Sequence, residues 1–385
     1  MQSTGPAGSN APLSGIHVLD LSRLAPGPFC SFLLADLGAD VTVVLGPGGG
    51  SLPQVSRGKR FVALDLKSSA GRLALQRLAA RADVLIEGFR PGVADRLGAG
   101  YDTLRALRPE LIYCSITGYG QDGPLAQTAG HDINYLAQAG LLGAVGPAGS
   151  PPLPPLNLLA DFAGGSFLAA IAILAALVER SHSGLGQHLD VAMVDGVQSM
   201  MTMHYATWGG PAMPGRGEGL LAGTAPFYRC YECADGRYVA VGALEAPFFA
   251  ALWRTLGLAD FDLVPDHLDP NRWPEQTMRL EAAFIRRSRD EWVEVFEGID
   301  ACVSPVLAPD EVHTHPHTVA RHGPRELADP PPIPRLSRTP SVAYPLTPED
   351  ATRSVLAGLG MTPEQIEDAA GETPGGTLAS WPPIH

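Results

Sequence analysis

The sequence predicts an α/β protein: a Rossmann-like large domain with a parallel sheet, plus a smaller α/β domain joined to it by long linkers. Three observations lead there. Between residues 15 and 117 short apolar strands alternate with helical segments. Residues 209–224 turn rich in Gly and Pro, as a crossing linker does. Beyond them, residues 227–232 and 238–241 alternate about the turn Ala234-Asp235-Gly236-Arg237, the pattern of a hairpin.

In chain order, strands are expected at 16–21, 41–45, 61–64, 82–86 and 111–116, with helices at 29–37 and 68–80. The strands are short and mainly apolar, which suits a parallel sheet covered on both faces. The glycine-rich run Gly46-Pro47-Gly48-Gly49-Gly50 follows a strand but opens no helix. It reads as a loop, so the fold is Rossmann-like without a dinucleotide fingerprint. Next come a helix ending near Arg180, a strand at 188–193 and a helix at 194–207. After the hairpin, helices are expected at 246–256, 273–284 and 290–296. A Pro-rich linker at 330–345 leads to two final helices, the second opening with Thr362 as N-cap and Pro363 at its first position. The expected division is a disordered lead-in at 1–12, a large domain at 13–207, a linker at 208–225, a small domain at 226–325, a second linker at 326–346 and C-terminal helices at 347–385.

At 385 residues there is ample chain for two cored domains. A net charge of −13 argues against a nucleic-acid or anionic-membrane surface, but not against an anionic ligand held by a local basic patch. Residues 1–12 lack the basic and apolar regions of a signal peptide, and the ending Pro-Pro-Ile-His is no peroxisomal address. The longest uncharged apolar run, 162–178, has 17 residues and reads as a buried core helix rather than a membrane span. Five scattered cysteines without a secretory signal suggest reduced thiols and a cytoplasmic location. Cys230 and Cys233 form a lone C-x-x-C with no second pair. His313, His315 and His317 alternate, but Pro316 is expected to break any regular element there, so no metal site is expected.

The chemistry concentrates between Gly130 and Gly165. His131 and Asp161 each precede an apolar helical run. A helix N-terminus offers free N–H groups and a positive dipole end, favouring neutral imidazole and ionised carboxylate. Two such bases could flank one carbon acid, one removing a proton and the other returning it to the opposite face, while N–H groups near Asp161 stabilise the enolate. The same residues also read as an N-cap and a satisfied buried histidine. Arg57, Lys59, Arg60, Lys67, Arg90 and Arg96 lie just outside strands, as a phosphate site or as a solvated face. Glu245 alone reads as an N-cap or surface carboxylate. Met200, Met201 and Met203 read as core filler before an acyl-binding surface.

Several motifs carry a resemblance: Gly130-His131-Asp132-Ile133-Asn134-Tyr135, Ala25-Pro26-Gly27-Pro28, Ala63-Leu64-Asp65-Leu66-Lys67, Glu87-Gly88-Phe89-Arg90-Pro91-Gly92, Thr117-Gly118-Tyr119-Gly120 and Ala192-Met193-Val194-Asp195-Gly196. From about residue 12 to 345 the chain resembles the α-methylacyl-CoA racemases of the family III CoA-transferase superfamily. The resemblance implies His131 and Asp161 as the two acid/bases, with Glu245 pairing with His131 and raising its basicity. It implies coenzyme A contacts at Leu64, Asp65, Leu66, Lys67, Gly88, Phe89, Arg90 and Arg96, with Gly130, Asp132, Ile133, Asn134 and Tyr135 lining the same site. It further implies an acyl-CoA substrate with no separate cofactor, a C-terminus that returns to the large domain, and an interlocked homodimer.

One departure stands out. The family usually carries a basic residue just after the second strand, where it helps hold the nucleotide end; here that place reads Val43-Val44-Leu45-Gly46-Pro47. Either Arg57, Lys59 and Arg60 hold coenzyme A instead, or the substrate lacks that handle. Within the superfamily, transferases use an Asp at the position of Asp161 as nucleophile. His131, Glu245 and Leu220-Leu221-Ala222-Gly223-Thr224 in place of a glycine run favour the racemase. A repurposed isomerase or cyclase acting on a non-CoA substrate, or a non-catalytic subunit, is the third reading.

Overall fold

A computed structural model describes residues 10–46, 50, 53–259, 264–341, 344 and 349–371. Most of the expected lead-in, Pro47, Gly48 and Gly49 of the glycine-rich run, part of the second linker, the expected start of the C-terminal helices at 347, and residues 372–385 lie outside the described residues. Residues 10–12 of the expected lead-in are described. Ala11 is buried, and its methyl sits where a Cβ on Gly38 would lie, 2.3 Å away.

The chain forms two compact units, one of residues 1–139, 155–200 and 325–385, the other of 140–154 and 201–324. The large domain is therefore not the undivided 13–207 that the sequence suggests. The chain leaves it at Gly140, whose left-handed backbone (φ +73°) admits the turn, and returns at Pro155.

The first unit carries β1 (His17–Asp20), β2 (Asp40–Leu45), β3 (Lys59–Ala63), β4 (Val84–Glu87), β5 (Ile112–Thr117) and β6 (His188–Ala192). They pair in parallel in the order β3-β2-β1-β4-β5-β6. This is the doubly wound order, which leaves a ligand crevice beyond the carboxyl ends of its strands. In register Asp20 pairs with Val43 and Ile86, and Val43 with Phe61. The carboxyl ends of β1, β2, β3 and β4 therefore lie along one edge.

Both faces are covered, which is why the strands read as mainly apolar. Neighbours along a strand go to opposite faces: Leu19, Val44 and Leu85 join one apolar cluster, and Val18, Val43 and Ile86 the other. The first cluster includes the Ser69–Ala79 helix, whose N-cap Ser68 accepts the Gly71 N–H at 2.9 Å. The second includes the Pro26–Asp36 helix and the inner face of a long helical run, Leu158–Ser183.

That run is 26 residues, longer than the 17-residue stretch visible in sequence, because a π-helical segment, Leu158–Phe167, leads into the α-helix Leu168–Ser183. By length and composition it could cross a membrane. Here Ala169, Ala170, Ile173 and Ala176 pack into the core while Phe167, Ile171 and Val178 face outward. The expected helix at 194–207 is two, Met193–Met200 and Thr202–Thr207. The first approaches the π-helical segment so closely that a Cβ on Gly196 would lie 2.2 Å from the Gly164 carbonyl oxygen.

The second unit holds β7 (Tyr228–Glu232) and β8 (Tyr238–Gly242), the expected hairpin, and β9 (Val303–Pro305), all antiparallel. At three residues β9 is too short for alternation to reveal. Helices Ala246–Thr255, Trp273–Phe284 and Arg289–Val295 cover the sheet around Phe227, Tyr231, Phe249, Trp253, Phe284 and Trp292. Pro316 starts a helix, Pro316–His322, rather than breaking one: it takes the first position, and His315 Nδ1 caps the His317 N–H at 3.3 Å. Among the described residues no three His, Cys, Asp or Glu converge as a metal site would.

Returning to the first unit, the chain adds β10 (Glu349–Asp350) beside β3, then helices Thr352–Gly358 and Pro363–Ala370. The latter is capped by Thr362, as its sequence implies.

Candidate active site

His131 is the N-cap residue of the helix Asp132–Gln138, with extended backbone. Its N–H donates to Asn134 Oδ1 at 3.0 Å and its carbonyl accepts the Asn134 N–H at 2.8 Å. These bonds set the angle at which the chain enters the helix and leave the residue exposed.

The next residue points inward. Asp132 is buried, and its Oδ2 accepts the backbone N–H of Ala160 at 2.8 Å and of Asp161 at 2.9 Å. It thus caps the π-helical segment from another helix, 28 and 29 residues away in sequence. Asp132 was expected to line the coenzyme A site; its carboxylate fastens the two halves of the motif together. It also takes up two of the N–H groups near Asp161 that the sequence reading offered to an enolate.

Asp161 lies in the first turn of that segment, half-buried, with Asn157 Nδ2 donating to its Oδ2 at 3.1 Å. Burial raises its pKa above the usual carboxylate value, and the Asp132 charge adds to the rise; the Asn157 bond and the positive form of His131 oppose it. The sequence reading, which put the helix end in charge, expected ionisation to be favoured. Desolvation and a like charge win instead. The influence of His131 on Asp161 places both groups in one electrostatic neighbourhood.

Tyr135 forms the wall beside them. Its hydroxyl donates to the Gly130 carbonyl at 2.6 Å, and Tyr119 meets its ring edge-on. A Cβ on Gly118 would lie 2.2 Å from that ring and one on Gly130 2.7 Å, so both motifs need glycine there. Burial, then the Asp161 charge, pushes the Tyr135 hydroxyl up to about 12, while Arg90 pulls the other way.

Of the expected coenzyme A contacts, Leu64 is wholly buried, and its N–H donates to the Leu45 carbonyl at 2.9 Å. Leu66 and Phe89 pack against the core. Asp65 Oδ1 accepts the Lys67 N–H at 2.9 Å, and buried Glu87 accepts the Phe89 N–H at 2.6 Å. Lys67, Gly88, Arg90, Arg96, Ile133 and Asn134 are exposed. None of the three cations pairs with a carboxylate among the described residues.

The other three are committed elsewhere. Arg57 is 1% exposed and forks onto Asp36 at 2.9 and 2.6 Å. Lys59 Nζ donates to the Pro28 carbonyl and to Ser31 Oγ, both at 2.7 Å, and burial lowers its pKa to about 8. Arg60 pairs with Asp40. These cations hold the sheet and its helix together, and their charges are not offered to a phosphate.

Glu245 belongs to the second unit, where it is the exposed N-cap residue of the Ala246–Thr255 helix and its carbonyl accepts the Phe249 N–H at 3.0 Å. Asn157 escaped the sequence reading, although its spacing of four from Asp161 is the helical spacing at which amide and carboxylate meet.

Residues 13–353 match the sequence profile of CoA-transferase family III. The chain belongs to that family. It is similar to the α-methylacyl-CoA racemase of Mus musculus, 43% identical over 92% of this chain and 95% of that protein. It is also similar to the α-methylacyl-CoA racemase of Homo sapiens, 41% identical over 92% of this chain and 95% of that one. Among solved structures, a CAIB/BAIF family protein from Brucella suis superposes with a TM-score of 0.77 at 28% identity, covering 91% of this chain and all of that one.

Proposed function

We propose that this protein is an isomerase that interconverts (R)- and (S)-2-methylacyl-CoA thioesters by two-base proton transfer through an enolate. The observation that carries the reading is the placement of His131 and Asp161 on two helix starts joined through Asp132, in a chain so similar to two racemases. The thioester carbonyl makes the α-proton removable. One group takes it from one face while the other, already protonated, delivers to the opposite face. The two must differ in what they hold: imidazolium with carboxylate in one direction, imidazole with carboxylic acid in the other. Burial and the Asp132 charge, which raise the Asp161 pKa, favour the state in which Asp161 holds the proton.

A homodimer is part of the proposal. Phe167, Ile171 and Val178 form an exposed apolar stripe on one helical run, 42%, 62% and 62% exposed in the single chain, which a second copy would cover. Light scattering at micromolar concentration tests it; a monomer would contradict it.

The family name also fits a transferase in which Asp161 attacks the thioester. Incubation with (S)-2-methylacyl-CoA separates the two. The racemase gives the (R)-epimer with no added acid. A transferase gives no epimer, and passes coenzyme A to an added free carboxylic acid.

A further inference from the structure

The basic residue that the family resemblance leads one to expect just after the second strand is absent, since β2 ends at Leu45 and Gly46 follows. Another positive charge stands at that point. Arg23 lies in the turn after β1, the strand beside β2. A Cβ on Gly46 would lie 2.5 Å from a terminal guanidinium nitrogen of Arg23 and 3.6 Å from its Cζ. The guanidinium thus occupies the space that a side chain at 46 would claim.

The turn is well anchored. Buried Asp20 accepts the Ser22 N–H at 2.8 Å, and also the hydroxyls of Ser22 and Ser31. A Cβ on Gly88 would touch that of Ser22 at 3.8 Å, so the turn runs between the ends of β2 and β4. Arg23 is exposed, and among the described residues no carboxylate pairs with it, in contrast to Arg57 and Arg60.

We propose that Arg23 binds the phosphates at the nucleotide end of coenzyme A, supplying from the turn after β1 a positive charge at the end of β2. The proposal rests on the acyl-CoA reading above. A guanidinium can engage a phosphate through two N–H donors. With Lys67 after β3 and Arg90 after β4, cations that pair with no carboxylate among the described residues then follow three strands along the edge where the doubly wound sheet opens.

Calorimetry with 2-methylacyl-CoA, its 3′-dephospho form and the matching pantetheine thioester tests this. Arg23→Ala is expected to weaken acyl-CoA binding about tenfold or more, the loss of one charged hydrogen-bonding group, and to leave the pantetheine thioester unaffected. Arg23→Ala/Gly46→Arg is expected to regain most of the loss. A loss that persists with the 3′-dephospho form assigns Arg23 to the diphosphate; one that disappears assigns it to the 3′-phosphate, and either supports the proposal. Equal affinity of wild type and Arg23→Ala for acyl-CoA overturns it and leaves the acyl-CoA reading standing, as does an equal loss for the pantetheine thioester. A wild type that binds no acyl-CoA overturns both.

Discussion

The Asp132 carboxylate accepts the backbone N–H of Asp161 at 2.9 Å, so the residue after one proposed base fixes the position of the other. Replacing it with alanine strands the N–H groups of Ala160 and Asp161 in a buried place. Asp132→Ala is expected to cost about 2–3 kcal/mol of stability, the penalty for unsatisfied buried donors, and to lower kcat in the fraction that stays folded. Chemical denaturation alongside initial rates checks both.

Asp132→Asn keeps an acceptor oxygen and removes the charge. That charge raises the Asp161 pKa, so its loss favours ionised Asp161 and lowers the pKa. In the direction where Asp161 is the base, the acid limb of kcat/KM should therefore move to lower pH. A limb that stays in place would show that Asp161 is not the titrating group.

This relationship also marks where the sequence stops being informative. His131 and Asp161 were legible because helix starts have local signals. The capping bond was not, because it joins residues 29 apart. Arg57 and Arg60 looked available for phosphate because sequence shows their charge but not Asp36 and Asp40 opposite them in the fold. The parallel sheet was legible from strands apolar on both faces. Three-residue β9 and the excursion of 140–154 into the second unit had no periodicity to betray them.

Arg57 offers a second stability test. Arg57→Met leaves Asp36, 0% exposed, without its partner. The cost of breaking such a buried pair is about 3–5 kcal/mol, and Arg57→Met/Asp36→Leu should recover much of it. Acyl-CoA affinity of the folded protein should not change. A selective loss of affinity would return Arg57 to the phosphate site.

Gly196→Ala tests the close approach behind Asp161. The new methyl would meet the Gly164 carbonyl oxygen at 2.2 Å, backbone that cannot swing aside. Overpacking of this kind costs about 1–3 kcal/mol. Because the strain falls on the helix carrying Asp161, kcat should fall more than acyl-CoA affinity.

The most direct test of the two-base account is proton exchange at C2 in heavy water with one base removed at a time. Wild type should incorporate deuterium and yield both epimers from either one. His131→Gln should lose interconversion yet exchange the single epimer whose α-proton faces Asp161, with retention. Asp161→Asn should exchange only the opposite epimer. Interconversion by either variant, or exchange of the same epimer by both, would contradict the assignment of one base to each face.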